Sequence, residues 1–242
     1  MGGFRPEKSD LARQAGGYTG HPDVTKASTP KDVYQALLDA YGPRNWWPAD
    51  TPFEVMLGAI LTQNTAWNNV ERAIVSLKAV APLEPERVLN LDEETLQDAI
   101  RPSGYFRQKE RRLRLLCRYI MEKYDGDIAG MERVDTEALR GELLGLNGIG
   151  PETADSILLY ALNRPVFVVD SYTVRLMDRL GLLEGSGGYN EVQNLFTESL
   201  EPDTAMYNEY HALIVIHGKE RCRKRAPLCE GCPLGSVCQA RP

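Results

Sequence analysis

The chain has 242 residues, 43% of them hydrophobic, and a formal net charge of −6. That is enough apolar material for a substantial core, in one large domain or two small ones. No apolar run approaches the roughly 20 residues of a membrane span, and the opening MGGFRPEKSDLARQAGG lacks the apolar centre of a signal peptide. The expectation is a soluble, cytoplasmic protein. Net acidity argues mildly against a nucleic-acid partner, but binding is set by local patches rather than by the global average. Two patches are basic: Arg107, Lys109, Arg111, Arg112 and Arg114, and then Lys219, Arg221, Arg223, Lys224 and Arg225. Alone, the first reads as a solvated helix face.

Residues 1–29 are rich in Gly, Pro, Ser, Thr and charge without periodicity, which reads as a flexible N-terminal arm. No internal repeat is present. From Thr29-Pro30 the pattern turns helical, with Val33, Leu37, Leu38 and Tyr41 on one face, and Gly42-Pro43 stops it. Trp46-Trp47-Pro48 follows, with Trp67 a short way on. A tryptophan is usually core, but two adjacent ones in a loop before proline do not easily face the same core, so one of them can line a pocket. Phe53 to Thr62 reads as a buried helix, and Gln63-Asn64-Thr65 joins it to an amphipathic helix through Val70, Ile74 and Leu77. Gln63 is equally a capping residue at a helix end.

Residues 82–100 hold two short helical pieces, and residues 101–106 a loop marked by Pro and Gly. A long basic helix is expected over 108–124, a loop punctuated by Gly126 and Gly130, and a short helix over 136–144. Gly148-Ile149-Gly150-Pro151 then permits a tight turn with positive φ, and Pro151 suits a first helical position. Glu152 sits in that helix's first turn, where an acidic side chain suits the dipole. Ala154, Ile157, Leu158, Ala161 and Leu162 continue at helical spacing. A glycine turn feeding a helix N-terminus offers backbone N–H groups to a phosphate. The apolar run Val166 to Val169 delivers Asp170 to the start of another helix, Ser171 to Leu180. By itself Asp170 reads as that helix's N-cap. Helices over 190–200 and 204–217 complete an almost wholly α chain.

The C-terminus reads Cys222-x6-Cys229-x2-Cys232-x5-Cys238. In an intracellular chain this is a metal motif before it is a disulfide framework. Zinc is the generic alternative, although the spacing lacks the two C-x2-C units of a paired zinc knuckle. Cys117 is left over and reads as a core thiol.

The order LxGIG, helix, apolar run, VD, helix resembles the helix-hairpin-helix and Gly/Pro-Asp motif of the endonuclease III superfamily of DNA glycosylases. The cysteine spacing and its lead-in His217-Gly218-Lys219 resemble the iron–sulfur loop of the same family. The resemblance covers residues 30–242. It implies an all-α, two-lobed HhH-GPD fold: residues 52–155 as one lobe carrying the hairpin, and residues 30–51 with 156–242 as a discontinuous iron–sulfur lobe. It implies a 4Fe–4S cluster on Cys222, Cys229, Cys232 and Cys238. It implies double-stranded DNA with a damaged base as the partner of a monomer, nucleoid-associated if bacterial. Gly148, Gly150 and the Arg223-Lys224-Arg225 loop would hold the backbone, Gln63 would fill the gap left by a flipped base, and Asp170 would be catalytic.

Endonuclease III proper has a Lys two residues after the second hairpin glycine, and that amine forms a Schiff base. The matching residue here is Glu152, which cannot. The resemblance therefore implies a hydrolytic, monofunctional glycosylase, with Asp170 stabilising an oxocarbenium-like sugar and positioning water. The segments WWPADTPFEVMLGAILTQNTAW and GPETADSILLYA look most like the 3-methyladenine glycosylase branch. There an aromatic pair sandwiches a cationic alkylpurine, a part that falls to Trp67 with Trp46 or Trp47. The alternatives are an oxidised-pyrimidine glycosylase and abasic-site lyase, or a non-catalytic DNA lesion binder.

Overall fold

The structure, a computed structural model, describes residues 29–44, 46, 49–183 and 187–240. The expected N-terminal arm up to residue 28, and Trp47, lie outside the described residues. Among those described, all regular structure is helical.

Helix α1 (Pro30–Tyr41) starts where Thr29 and Asp32 form a reciprocal capping box, and Gly42 ends it at φ 65°. Helix α2 (Pro52–Leu61) is capped by Thr51 and buried from Phe53 to Leu61, as its nearly unbroken apolar sequence requires. Its buried Glu54 is matched by Lys78 at 2.9 Å. Helix α3 (Trp67–Val80) buries Val70, Ala73, Ile74 and Leu77, a single stripe. Helices α4 (Pro85–Leu89), α5 (Glu93–Ile100) and α6 (Phe106–Tyr124) follow. The α4 and α5 helices pack on α6, and α3 packs on α5. The loop marked by Gly126 and Gly130 contains a short turn of helix, α7 (Ile128–Met131), capped by Asp127. Helix α8 (Thr136–Leu144) has the bounds its pattern gives, because Asp135 caps it.

Helix α9 (Pro151–Ser156) opens after the glycine turn, and over Ile157–Ala161 it widens into a π-helical turn. Regular α spacing was the expectation there. The wider turn packs between α2 and helix α12 (Thr204–Glu220), and its Tyr160 reaches α12. Residues 164–169 run extended without a strand partner. They deliver helix α10 (Ser171–Arg179), and helix α11 (Tyr189–Thr197) follows. Helix α12 packs on α1 and α10, and Tyr210 donates to Pro30 O at 2.7 Å. Phe167 stacks on Phe196 at 3.8 Å and meets Tyr207 and Tyr210 edge-on. The buried apolar residues of both halves form one continuous cluster, and Cys117 lies in it with its thiol pushed up to about 12 by burial.

The first basic patch is not a solvated face. Arg107 and Arg111 are exposed, but Lys109 is 1% exposed. Its ammonium donates to Leu61 O at 2.9 Å and Ser103 O at 2.7 Å. Arg114 pairs with Glu110 and donates to Leu89 O and Leu91 O. These cations satisfy carbonyls at helix ends, the groups a helix C-terminus leaves open. Burial lowers the Lys109 amine to about 8.

Candidate active site and cysteine loop

Gly148 takes φ +88°, and a Cβ there would strike the Arg112 side chain. The positive φ of the turn falls on Gly148 alone: Gly150 is extended at φ −92°, ψ 179°, with open space beside it. Gln63 is tied into this turn. Its amide donates to Gly148 O at 3.1 Å and to Thr153 Oγ1 at 2.9 Å, and Arg112 donates to its Oε1. The end of α2, the hairpin and α6 are thereby one hydrogen-bonded unit.

Asp170 caps α10 through one oxygen. Oδ1 accepts from Tyr172 N at 2.9 Å, Thr173 N at 2.8 Å and Thr173 Oγ1 at 3.0 Å. Oδ2 faces His211 Nε2 at 3.7 Å, longer than a hydrogen bond. Capping therefore occupies one oxygen of this side chain and leaves the other open. Burial works to raise the Asp170 pKa, but the facing His211 ring and then the Thr173 bonds outweigh it, leaving the carboxyl below the usual range. The Glu152 carboxyl, in the first turn of α9, feels the charges of Asp170 and His211. Loss of solvation, and then the Asp170 charge, raise its pKa.

His211 and Tyr160 are the site residues that sequence reasoning missed. They share a 2.5 Å hydrogen bond between Tyr160 OH and His211 Nδ1. The available signal was a lone histidine inside the apolar stretch HALIVI of α12. Burial, and then the Asp170 charge, push the Tyr160 phenol well above its ordinary value.

A second network fixes the segment that carries Asp170. The fully buried Asp155 takes two bonds from Arg140, at 2.6 and 3.1 Å. It also accepts from Tyr189 OH at 2.7 Å and Gln193 Nε2 at 2.8 Å. Those two side chains hold the extended run: Gln193 donates to Phe167 O, and the Tyr189 hydroxyl accepts from Val169 N. Two backbone groups of a segment with no regular structure, Phe167 O and Val169 N, are thus met by side chains.

Trp46 and Trp67 come together with ring centroids 6.3 Å apart, tilted by 44°. That is direct ring contact, with no slot between them. Trp67 Nε1 donates to Glu71 at 3.0 Å, and the Lys219 ammonium lies 5.8 Å from the Trp46 ring centre.

Cys222, Cys229, Cys232 and Cys238 are free thiols lining one hollow, walled by Leu176, Leu180 and Leu234. Burial, and then the charges of the other three cysteines, raise the Cys232 thiol, while the Leu234 amide acts the other way. Arg179 donates to Cys222 Sγ at 3.1 Å. Among the described residues no three or more His, Cys, Asp or Glu side chains converge on a single-ion site. Arg223, Lys224 and Arg225 are exposed on the loop between the first two cysteines.

The glycine turn thus feeds α9, and the run after it carries a capped aspartate to the head of α10. The sequence profile of the HhH-GPD superfamily base excision DNA repair protein matches residues 57–202, and the chain belongs to that superfamily. It is 50% identical over 211 residues, 86% of this chain and 95% of the other, to a Methanocaldococcus jannaschii protein provisionally named a DNA repair glycosylase. It is 31% identical to endonuclease III of Thermotoga maritima, over 81% of this chain and 86% of that one. Among solved structures, H. pylori 3-methyladenine DNA glycosylase bound to 1,N6-ethenoadenine aligns with TM-score 0.71 and 27% identity, covering 80% of this chain and 98% of the other. A non-covalent endonuclease III–DNA complex aligns with TM-score 0.75 at 22% identity, over 88% and 96%, and shares the fold.

Proposed function

We propose that this DNA glycosylase is monofunctional and hydrolyses the N-glycosidic bond of an alkylated purine such as 3-methyladenine. The observation that carries the reading is Glu152 beside Asp170: the position where the lyase branch places its amine holds a second carboxylate. A carboxylate pair with pKa values pushed apart serves hydrolysis and forms no Schiff base. Asp170 Oδ2 faces the sugar, steadies the positive charge that develops as the bond lengthens, and orients water. The leaving alkylpurine is already cationic and needs no general acid. The relationship to a 3-methyladenine glycosylase structure supports the substrate class.

In this reading the duplex crosses the cleft between two lobes, residues 52–155 and residues 30–51 with 156–242. Gly148, Gly150 and the Arg223-Lys224-Arg225 loop hold phosphates. Gln63 exchanges its bonds to the hairpin for the gap in the stack, and Trp67 parts from Trp46, or pairs with Trp47, to take the base. One chain suffices. Cys222, Cys229, Cys232 and Cys238 hold a 4Fe–4S cluster, since thiols spread around a hollow suit a body of four irons better than one zinc ion. The cluster supplies no reaction step; it pins the basic loop.

The test incubates the protein with duplexes carrying methylated purines and, separately, thymine glycol, and scores free base and strand breaks. Release of 3-methyladenine without strand cleavage, lost in Asp170→Asn, is expected. Strand cleavage at thymine glycol with a borohydride-trapped adduct would overturn the proposal. DNA binding without base release from either substrate would favour the non-catalytic binder.

A further inference from the structure

We propose that His211 is a positioning residue of the Asp170 site, presenting an N–H to Oδ2 and holding that oxygen anionic and aimed at the flipped sugar. The proposal rests on the reading of Asp170 as the group that meets the sugar cation.

His211 sits on α12, buried, with Ala212, Leu213, Ile214 and Val215 beyond it. Its Nε2 is buried without a hydrogen-bond partner, an arrangement native cores rarely tolerate without a reason. The other ring nitrogen is engaged by Tyr160 at 2.5 Å. Burial keeps Tyr160 a phenol. When its O–H donates to Nδ1, the neutral ring carries its hydrogen on Nε2. That N–H looks toward Asp170 Oδ2 from 3.7 Å. The shift needed to close the contact is under an ångström, and catalytic hydrogen bonds are often loose before substrate arrives. Oδ1 is already saturated by Tyr172 and Thr173, so Oδ2 is the oxygen open to chemistry.

Three titratable groups face Asp170 from the elements around it: Glu152 on α9, Tyr160 on the π-helical turn and His211 on α12. On α10 itself, Thr173 supplies neutral donors. Glu152 opposes the carboxylate charge, and His211 supports it. A histidine that merely filled space would leave the protonation of Asp170 unchanged when replaced.

The test uses duplexes with a pyrrolidine abasic analogue, cationic at the sugar, and a neutral tetrahydrofuran analogue, so it is independent of the preferred lesion. Wild-type protein should prefer the cationic duplex and lose that preference as pH falls through the Asp170 pKa. In His211→Leu the loss should move upward by roughly one pH unit, while His211→Gln, whose amide still donates, should restore much of the wild-type midpoint. Thermal melting checks folding. If His211→Leu does not fold, Tyr160→Phe carries the test, with an upward shift expected because the tautomer is no longer fixed. A folded His211→Leu, or in its place Tyr160→Phe, with the wild-type midpoint overturns the proposal. Absence of any wild-type preference for the cationic duplex instead overturns the reading of Asp170 on which it stands.

Discussion

Asp170 Oδ1 accepts three bonds, and among the described residues Oδ2 has only His211 Nε2 facing it, at 3.7 Å. A substitution that keeps an oxygen for the cap while removing the charge should separate stability from activity. Asp170→Asn is expected to stay folded, because Asn caps helices about as well as Asp, and to lose roughly 10²–10³-fold in single-turnover base release. The pH dependence follows from the same carboxylate. Its folded pKa is depressed, so its contribution to stability is present above the unfolded value and lost as pH falls through the folded one. Base release should likewise hold through mild acid and fall only below the ordinary carboxylate range. A rate that instead declines at the ordinary range would contradict the role given to the groups around Oδ2. Sequence alone offered the cap and the catalyst as alternatives for this residue. Only the orientation of the two oxygens shows that the cap leaves one of them open.

Helix beginnings were readable because caps are local. Thr29, Asp135 and Asp203 cap where the pattern places a helix start. The π-helical turn was not readable, since its apolar residues fit an α spacing as well, and the choice rests on packing against α2 and α12. The hairpin separates its two glycines. Gly148→Ala should lower stability by about 1–2 kcal/mol, through its positive φ and its collision with Arg112. Gly150→Ala should cost under about 1 kcal/mol and show its effect in DNA affinity if the backbone approaches a phosphate there. Urea unfolding and duplex binding of the two variants distinguish these effects. The extended run before α10 makes a third case. Tyr189→Phe removes the hydroxyl between Asp155 and Val169 N, which should cost about 1–3 kcal/mol in urea. Base release should fall further than binding, because the loosened segment carries Asp170.

At the scale of the fold, α12 closes on α1, and Phe167, Phe196, Tyr207 and Tyr210 form one ring cluster. The cysteine loop hangs on this frame through Arg175, which donates to Cys222 O, and through Arg179. The loop adds Leu234 to a core cluster built mainly from the helices, so Cys232→Ser should keep most of its helical circular dichroism. On the proposal of a cluster there, it should lose iron and sulfide together, and with them much of its affinity for DNA in low salt, where phosphate contacts dominate. Retention of full DNA affinity by an iron-free variant would detach the basic loop from the cluster.

The sequence by itself determined the helical class, the helix starts, the glycine turn, the cysteine spacing and the replacement of an amine by Glu152. All of these are written in short windows, where local sterics and local hydrogen bonds decide the outcome. The tertiary structure decided what lies far apart in the chain. It buried Lys109 under carbonyls that its basic helix gave no sign of, bound Gln63 to the hairpin, and brought Tyr160, Asp170 and His211 to one point. Those contacts depend on how α2, α6, α9, α10 and α12 pack. A buried polar group takes its partner from whichever element the packing places opposite it, and no periodicity within its own helix specifies that neighbour.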